Sequence, residues 1–132
     1  MPYSDFDLTS RVAIVTGAGR GLGRGMAVAL AEAGATVIAA DRSKAGIDET
    51  ADIIRNRGSA AHAILFDAVE REECRRLVAE TVTRCGRVDT MVVSHGVNQH
   101  GPAIAIEDSE WQETLAINLT GAFCVPRPPA GR

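Results

Sequence analysis

The sequence predicts an α/β fold: a doubly wound parallel sheet, incomplete at about four strands, with helices on both faces. Three observations predict it. Short apolar, β-branched runs recur along the 132 residues, each sized for one buried strand. The segments between them return apolar residues at helical spacing, and strands alternating with helices make parallel neighbours joined by crossovers. A glycine cluster stands between the first strand and the first helix, at residues 17–23.

Val12 to Thr16 (VAIVT) reads as the first buried strand. Leu22, Met26, Leu30 and Ala33 share a face of the helix that follows, and Gly34 suits a left-handed C-terminal cap. Thr36 to Asp41 (TVIAAD) is the second strand; Ser43 caps a helix with Ile47, Ala51 and Ile54 facing inward, ending before Gly58. Residues 60–67 (AAHAILFD) form the third strand. The next helix sets Cys74, Leu77, Val78, Thr81, Val82 and Cys85 on one face, with Glu72 paired to Arg76 on the other. Residues 88–94 (VDTMVVS) are the fourth strand. Ser109 to Gln112 then spells a capping box for a helix with Trp111, Leu115, Asn118 and Leu119 on its apolar face.

Residues 1–125 are therefore expected to form one partial α/β domain. Residues 126–132 (PRPPAGR) read as a proline-rich, disordered tail, because Pro126, Pro128 and Pro129 cannot continue a helix. An open four-stranded sheet should leave an edge and apolar surface uncovered.

Composition narrows the function. The chain is 45% hydrophobic and 23% charged, with a net charge of −3, which argues against a nucleic-acid or anionic-membrane surface. Cys74, Cys85 and Cys124 make an odd set without a C-x-x-C pair, so buried thiols and a reducing compartment are expected. No apolar run approaches the roughly 18 residues of a membrane span, and the N-terminus lacks a secretory pattern, so the cytoplasm is the expected location. His62, His95 and His100 show no metal-ligand spacing, and no metal is expected.

The sharpest chemistry lies in TGAGRGLG, Thr16 to Gly23. A pyrophosphate can rest on a helix's first N–H groups when the preceding turn carries no Cβ to hold it away. The spacing is T-G-x-x-x-G-x-G; the G-x-G-x-x-G fingerprint fails because position 22 is Leu22. Arg20 and Arg24 flank the turn and can screen pyrophosphate charge. Asp41 closes the second strand, where a carboxylate accepts ribose hydroxyls and repels a 2′-phosphate, favouring NAD over NADP. Arg42 beside it pulls the other way.

These residues resemble the short-chain dehydrogenase/reductase family, from about Ser10 to Phe123. Thr16, Gly17, Gly21 and Gly23 match its glycine motif, Asp41 its NAD-selecting acid, and Asp67 the acid after strand three that lies near adenine; Asp67 also suits the start of a capping box with Glu70. Asn118 in LAINLTGAF matches the asparagine of the family's catalytic tetrad. The resemblance implies a Rossmann-like fold and a nicotinamide cofactor. Its expected binding set adds Arg20 and Leu22 in the turn, Arg42 beside Asp41, Ala68 beside Asp67, and Ser94 with Gly96 after strand four; Asn118 is the expected catalytic residue. After strand four the family carries N-N-A-G or N-A-G, whereas this chain has Val93-Ser94-His95-Gly96.

The family's reaction is hydride transfer between a nicotinamide and an alcohol or carbonyl carbon, with a serine, a tyrosine and a lysine assisting. Here the tyrosine is Tyr3 and the lysine is Lys44, and no Tyr-x-x-x-Lys exists in the 132 residues. The expectation is thus the cofactor-binding portion of an oxidoreductase, truncated before its catalytic serine, tyrosine and lysine and inactive alone. Its partners would be a nicotinamide dinucleotide, a small alcohol or carbonyl substrate in the full-length relative, and further copies of a completed chain, with neither nucleic acid nor membrane. A non-catalytic nucleotide-binding or assembly module is the alternative. A methyltransferase also uses a glycine turn and an acid, but T-G-x-x-x-G-x-G and LAINLTGAF oppose it.

Overall fold

The computed structural model describes residues 4–126; residues 127–132, on which most of the expected tail falls, lie outside the described residues. Four parallel strands, β1 (Val12–Thr16), β2 (Thr36–Asp41), β3 (Ala61–Leu65) and β4 (Thr90–Val93), form one sheet in the order β3-β2-β1-β4. The connecting helices are α1 (Gly21–Glu32), α2 (Lys44–Asn56) and α3 (Arg71–Cys85), and α4 (Asp108–Leu115) follows β4. Because β4 pairs with β1 rather than with β3, the winding reverses beside β1. That reversal opens a crevice at the carboxyl ends of β1 and β4.

Alternation along the central strands divides the core into two layers. Ala13, Val15, Val37 and Ala39 pack with Ala27 and Ala31 of α1 and with Ile47, Ala51 and Ile54 of α2. Ile14, Ile38 and Ala40 face the opposite layer, with Phe66, with Cys74 and Leu77 of α3, and with Cys124 and Val125. Cys74 and Cys124 are buried, and burial, with Cys124 nearby, pushes the Cys74 thiol up to about 11. Helix α1 departs from its expected face. Leu22 is 83% exposed, and the buried stripe is Gly23, Ala27 and Ala31. Small side chains let this helix lie close on the sheet, where a leucine would hold it off.

Three further expectations are corrected. Helix α3 begins at Arg71, and Asp67 does not cap it; its Oδ1 accepts the Val69 N–H at 3.0 Å and closes its own loop. Arg76 pairs with Glu73 and Glu80 and reaches the Leu65 carbonyl, which leaves Glu72 to Arg75. The capping box of α4 lies two residues ahead of the expected Ser109 box: Glu107 is the cap, and the Glu110 carboxylate accepts the Glu107 N–H at 2.9 Å.

The chain then widens into a π-helical segment, Ala116–Gly121, before a last helical turn at Ala122–Cys124. Ile117, Gly121, Cys124 and Val125 turn inward, whereas Trp111 and Leu119 of the expected apolar face are 57% and 65% exposed. Open apolar surface therefore gathers on this side of the domain.

Strand β4 is tied to β1 partly by Asp89, whose carboxylate receives the Val12 N–H at 2.9 Å and Arg87 Nε at 2.8 Å. The Arg87 hydrogen bond first, and the Val12 N–H second, lower its pKa from 3.8 to about 2. The fold thus favours the carboxylate: its contribution is complete above the unfolded value and is lost as pH falls from about 4 towards 2. Asp89→Asn should be less stable at neutral pH and should show a shallower acid limb in urea melts run across that range.

Candidate functional site

Residues 17–20 leave β1 and turn into α1 with positive φ at Gly17 (+67°) and, where the helix opens, at Gly21 (+55°). A Cβ on Gly17 would come within 2.6 Å of the Ser94 carbonyl oxygen, so the turn lies directly against the exit of β4. A Cβ on Gly23 would stand 2.0 Å from the Gly17 carbonyl oxygen, which closes the turn onto α1. The residue before the helix, Arg20, makes no side-chain cap. The first N–H groups of α1 are thus left for a ligand, and Gly21, Leu22 and Gly23 line the cavity above them.

Behind the turn, Arg24 donates to the Gly19 carbonyl at 2.6 Å, to Thr50 Oγ1 at 3.0 Å and to Glu49 at 2.7 Å. Thr50 in turn donates to the Ala18 carbonyl at 2.7 Å. From its place on α1 this arginine ties the turn to α2 and does not line the cavity, so of the two arginines expected to screen a pyrophosphate it braces the turn instead.

The cavity measures about 760 Å³. It brings together Gly17, Arg20, Gly21, Leu22, Gly23, Asp41, Arg42, Asp67, Ala68, Ser94 and Gly96 of the expected set. Thr16 and Asn118 are not on the wall. Thr16 is fully buried behind it, and Asn118 grips the wall from outside: its Oδ1 accepts the Val97 N–H at 2.8 Å and its Nδ2 donates to the Val97 carbonyl at 2.7 Å. Ser43, Phe66, His95, Val97 and Ile117 also line the cavity and were not among the expected residues. Only His95 left a trace in the sequence, as a bulky side chain where the resemblance sets a small one.

Asp41 is oriented by the backbone. Its Oδ2 accepts the Gly19 N–H at 3.2 Å and its Oδ1 the Ser43 N–H at 3.0 Å. A carboxylate offers about four lone-pair directions, so one on each oxygen stays free for a ligand. Glycine at position 19 leaves room for this contact, because a Cβ there would meet the Asp41 carboxylate at 3.1 Å.

A parallel α/β domain with a glycine turn and an acid-closed second strand is an architecture shared by several classes of nucleotide-binding protein, and comparison with known proteins narrows it. The family model described as short chain dehydrogenase matches residues 11–128. The short chain dehydrogenase/reductase astE of Aspergillus oryzae is 37% identical over 123 residues, covering 91% of this chain and 47% of the relative. The crystal structure of a short-chain type dehydrogenase/reductase from Mycobacterium marinum superposes with a TM-score of 0.89 at 30% identity, over 92% of this chain and 49% of that one. A variant of actinorhodin polyketide ketoreductase, solved with NADPH, gives a TM-score of 0.85 at 34% identity, over 88% of this chain and 44% of that one. The chain belongs to the short chain dehydrogenase family, whose members bind nicotinamide dinucleotides, and its sheet is Rossmann-like. It spans about half the length of the curated relatives it matches. Among the described residues, no helix is long and apolar enough to cross a membrane.

Proposed function

We propose that the chain binds a nicotinamide dinucleotide, NAD in preference to NADP, as the cofactor half of a hydride-transferring site acting on an alcohol or carbonyl carbon. The observation that carries this is the cleft itself: uncapped α1 N–H groups, glycines whose Cβ atoms would fill the cradle, and a pre-oriented Asp41 at the end of β2. The first turn of α1 receives the pyrophosphate, with Arg20 screening its charge. Asp41 accepts the adenosine ribose hydroxyls and opposes a 2′-phosphate. Asp67 and Ala68 bound the adenine end, and Ser94 to Val97 form the wall that Asn118 holds in place. When bound, the nicotinamide supplies or accepts the hydride.

The ketoreductase relative was solved with NADPH, and Arg42 on the cavity wall is a cation that could receive a 2′-phosphate. The Asp41 carboxylate is held on the turn by the Gly19 N–H and would repel a 2′-phosphate there, which supports the NAD assignment.

A second reading, binding without turnover by these 132 residues, is favoured by one observation. Lys44 is held on α2 in an ion pair with Asp48 at 2.5 Å, and the one tyrosine is Tyr3. A phenol whose ordinary pKa is about 10 needs a neighbouring cation to act near neutrality. The expected result is calorimetric binding of NADH with no oxidation or reduction across a panel of alcohols and ketones. Turnover by the pure chain would remove the second reading, and absence of NADH binding would remove both.

A further inference from the structure

His95 carries an atom that the cleft leaves unexplained: among the described residues, its Nε2 is buried without a hydrogen-bond partner. The ring's other nitrogen lies 2.8 Å from Thr16 Oγ1, which also accepts the Ser94 N–H at 3.2 Å and stands 3.4 Å from the Val92 carbonyl oxygen. With the hydroxyl proton directed at Val92, the Nδ1–H donates to Thr16 and every donor of the group is used.

The far side of the ring meets two other elements. Its edge packs against Phe66 with centroids 5.8 Å apart at 61°. A Cβ on Gly121 would come within 3.1 Å of Nε2 and 2.9 Å of the Ala68 carbonyl oxygen, so the ring fills a notch that exists because residue 121 has no side chain. Gly121 closes the π-helical segment that carries Asn118, and Asn118 holds Val97 at the other end of the wall. One segment thus fixes the 94–97 strand exit at two points.

We propose that His95 is a positioning residue for the cleft: its imidazole, bonded to Thr16 and seated against Gly121, sets the spacing between the glycine-turn end of β1 and the π-helical segment bearing Asn118. The inference rests on the dinucleotide reading only for its binding readout. Around the ring, β1 presents the Thr16 hydroxyl, the chain after β3 presents Phe66 and the Ala68 carbonyl, and the π-helical segment presents the Ile117 carbonyl and Gly121. Asp41 is the charged group that acts on it. Burial, the largest effect, pushes the imidazole below its ordinary 6.5, against the Ile117 carbonyl and the Asp41 carboxylate. The native state therefore favours the neutral ring; its contribution is complete above the unfolded value and is lost as pH falls below it.

The test uses the full 132-residue chain. Nitrogen-15 histidine spectra, with His95 identified by its loss in His95→Asn, should show an Nδ1–H tautomer that titrates below the ordinary imidazole range. Over the same pH interval, amide-exchange protection of 94–97 and 116–121 should fall together, and NAD⁺ should bind about tenfold more weakly, the size of one lost hydrogen bond with its packing. His95→Ala should show both losses at neutral pH, and His95→Asn should abolish their pH dependence. A ring that titrates at its ordinary value, or protection of 116–121 that is unchanged in His95→Ala, would overturn the proposal. If the variants do not fold, the spectra and exchange of the unsubstituted chain decide it alone. Coupled exchange without NAD⁺ binding would sink the dinucleotide reading and leave the positioning role standing.

Discussion

Gly23→Ala is expected to cost the chain both stability and ligand. The added Cβ would sit 2.0 Å from the Gly17 carbonyl oxygen and 2.6 Å from the Gly17 carbonyl carbon, and both are backbone atoms that no rotamer change can move. Either α1 shifts outward or the turn opens. The first loses contacts of Ala27 and Ala31 with the sheet, and the second moves the N–H groups that face the cavity. Overpacking of this kind costs about 3 kcal/mol at the upper end of its usual range. Nucleotide affinity should fall by roughly a hundredfold, equivalent to about 2.7 kcal/mol. Urea melts and NADH calorimetry measure the two effects separately. Gly25→Ala is the internal control, because a Cβ there meets nothing within 4 Å, and it should be neutral or slightly stabilising through helix propensity. Equal behaviour of the two variants would mean that the contact between α1 and the turn is looser than described.

The second large effect is expected at Asp41. A charge-assisted contact contributes about 1.5–3 kcal/mol, so Asp41→Ala should weaken NADH binding by roughly ten- to a hundredfold. The same change strands the Gly19 and Ser43 N–H groups, and NADPH should gain little because the turn loosens. Asp41→Asn separates the two roles. Its amide oxygen can still accept one of these N–H groups without the charge that opposes a 2′-phosphate, so NADPH should bind better to the Asn variant than to the unsubstituted chain. If the unsubstituted chain binds both cofactors equally, Arg42 outweighs Asp41.

The sequence was most legible where one short-range rule decides. VAIVT followed at once by glycine, TVIAAD ending on an acid, and Ser43 ahead of Ile47, Ala51 and Ile54 each name their element, because strand burial and cap chemistry are local. Helix α1 was misread because a hydrophobicity ranking prefers Leu22 and Leu30 to Gly23, Ala27 and Ala31. Close packing of a helix on a sheet rewards the small residues instead. The α4 cap lies two residues before Ser109, the stronger capping type, because Glu110 reaches back to Glu107. Arg76 offered four nearby acids in sequence, and its choice of Glu73 and Glu80 depends on its reach to Leu65 across the crossover. At the candidate site, residues joined to a motif were visible, whereas Phe66, Val97 and Ile117 reach the cavity only through the order of the strands and the π-helical segment.

The Arg24 brace has a thermodynamic consequence for recognition. A stretch with glycine at 17, 19, 21 and 23 is among the most disordered that an unfolded chain can present, and each glycine loses more backbone freedom on becoming fixed than any other residue. With Gly19 held by Arg24 and Ala18 by Thr50, that freedom is surrendered when the domain folds and not when a phosphate arrives. A ligand then meets a receptor already in its binding shape, so its association carries little ordering entropy and its affinity reflects the contacts themselves. Loosening α2 far from the cavity, at Glu49 for instance, transfers part of that ordering back to the binding step, so the cleft would register the change although no atom lining it has been altered.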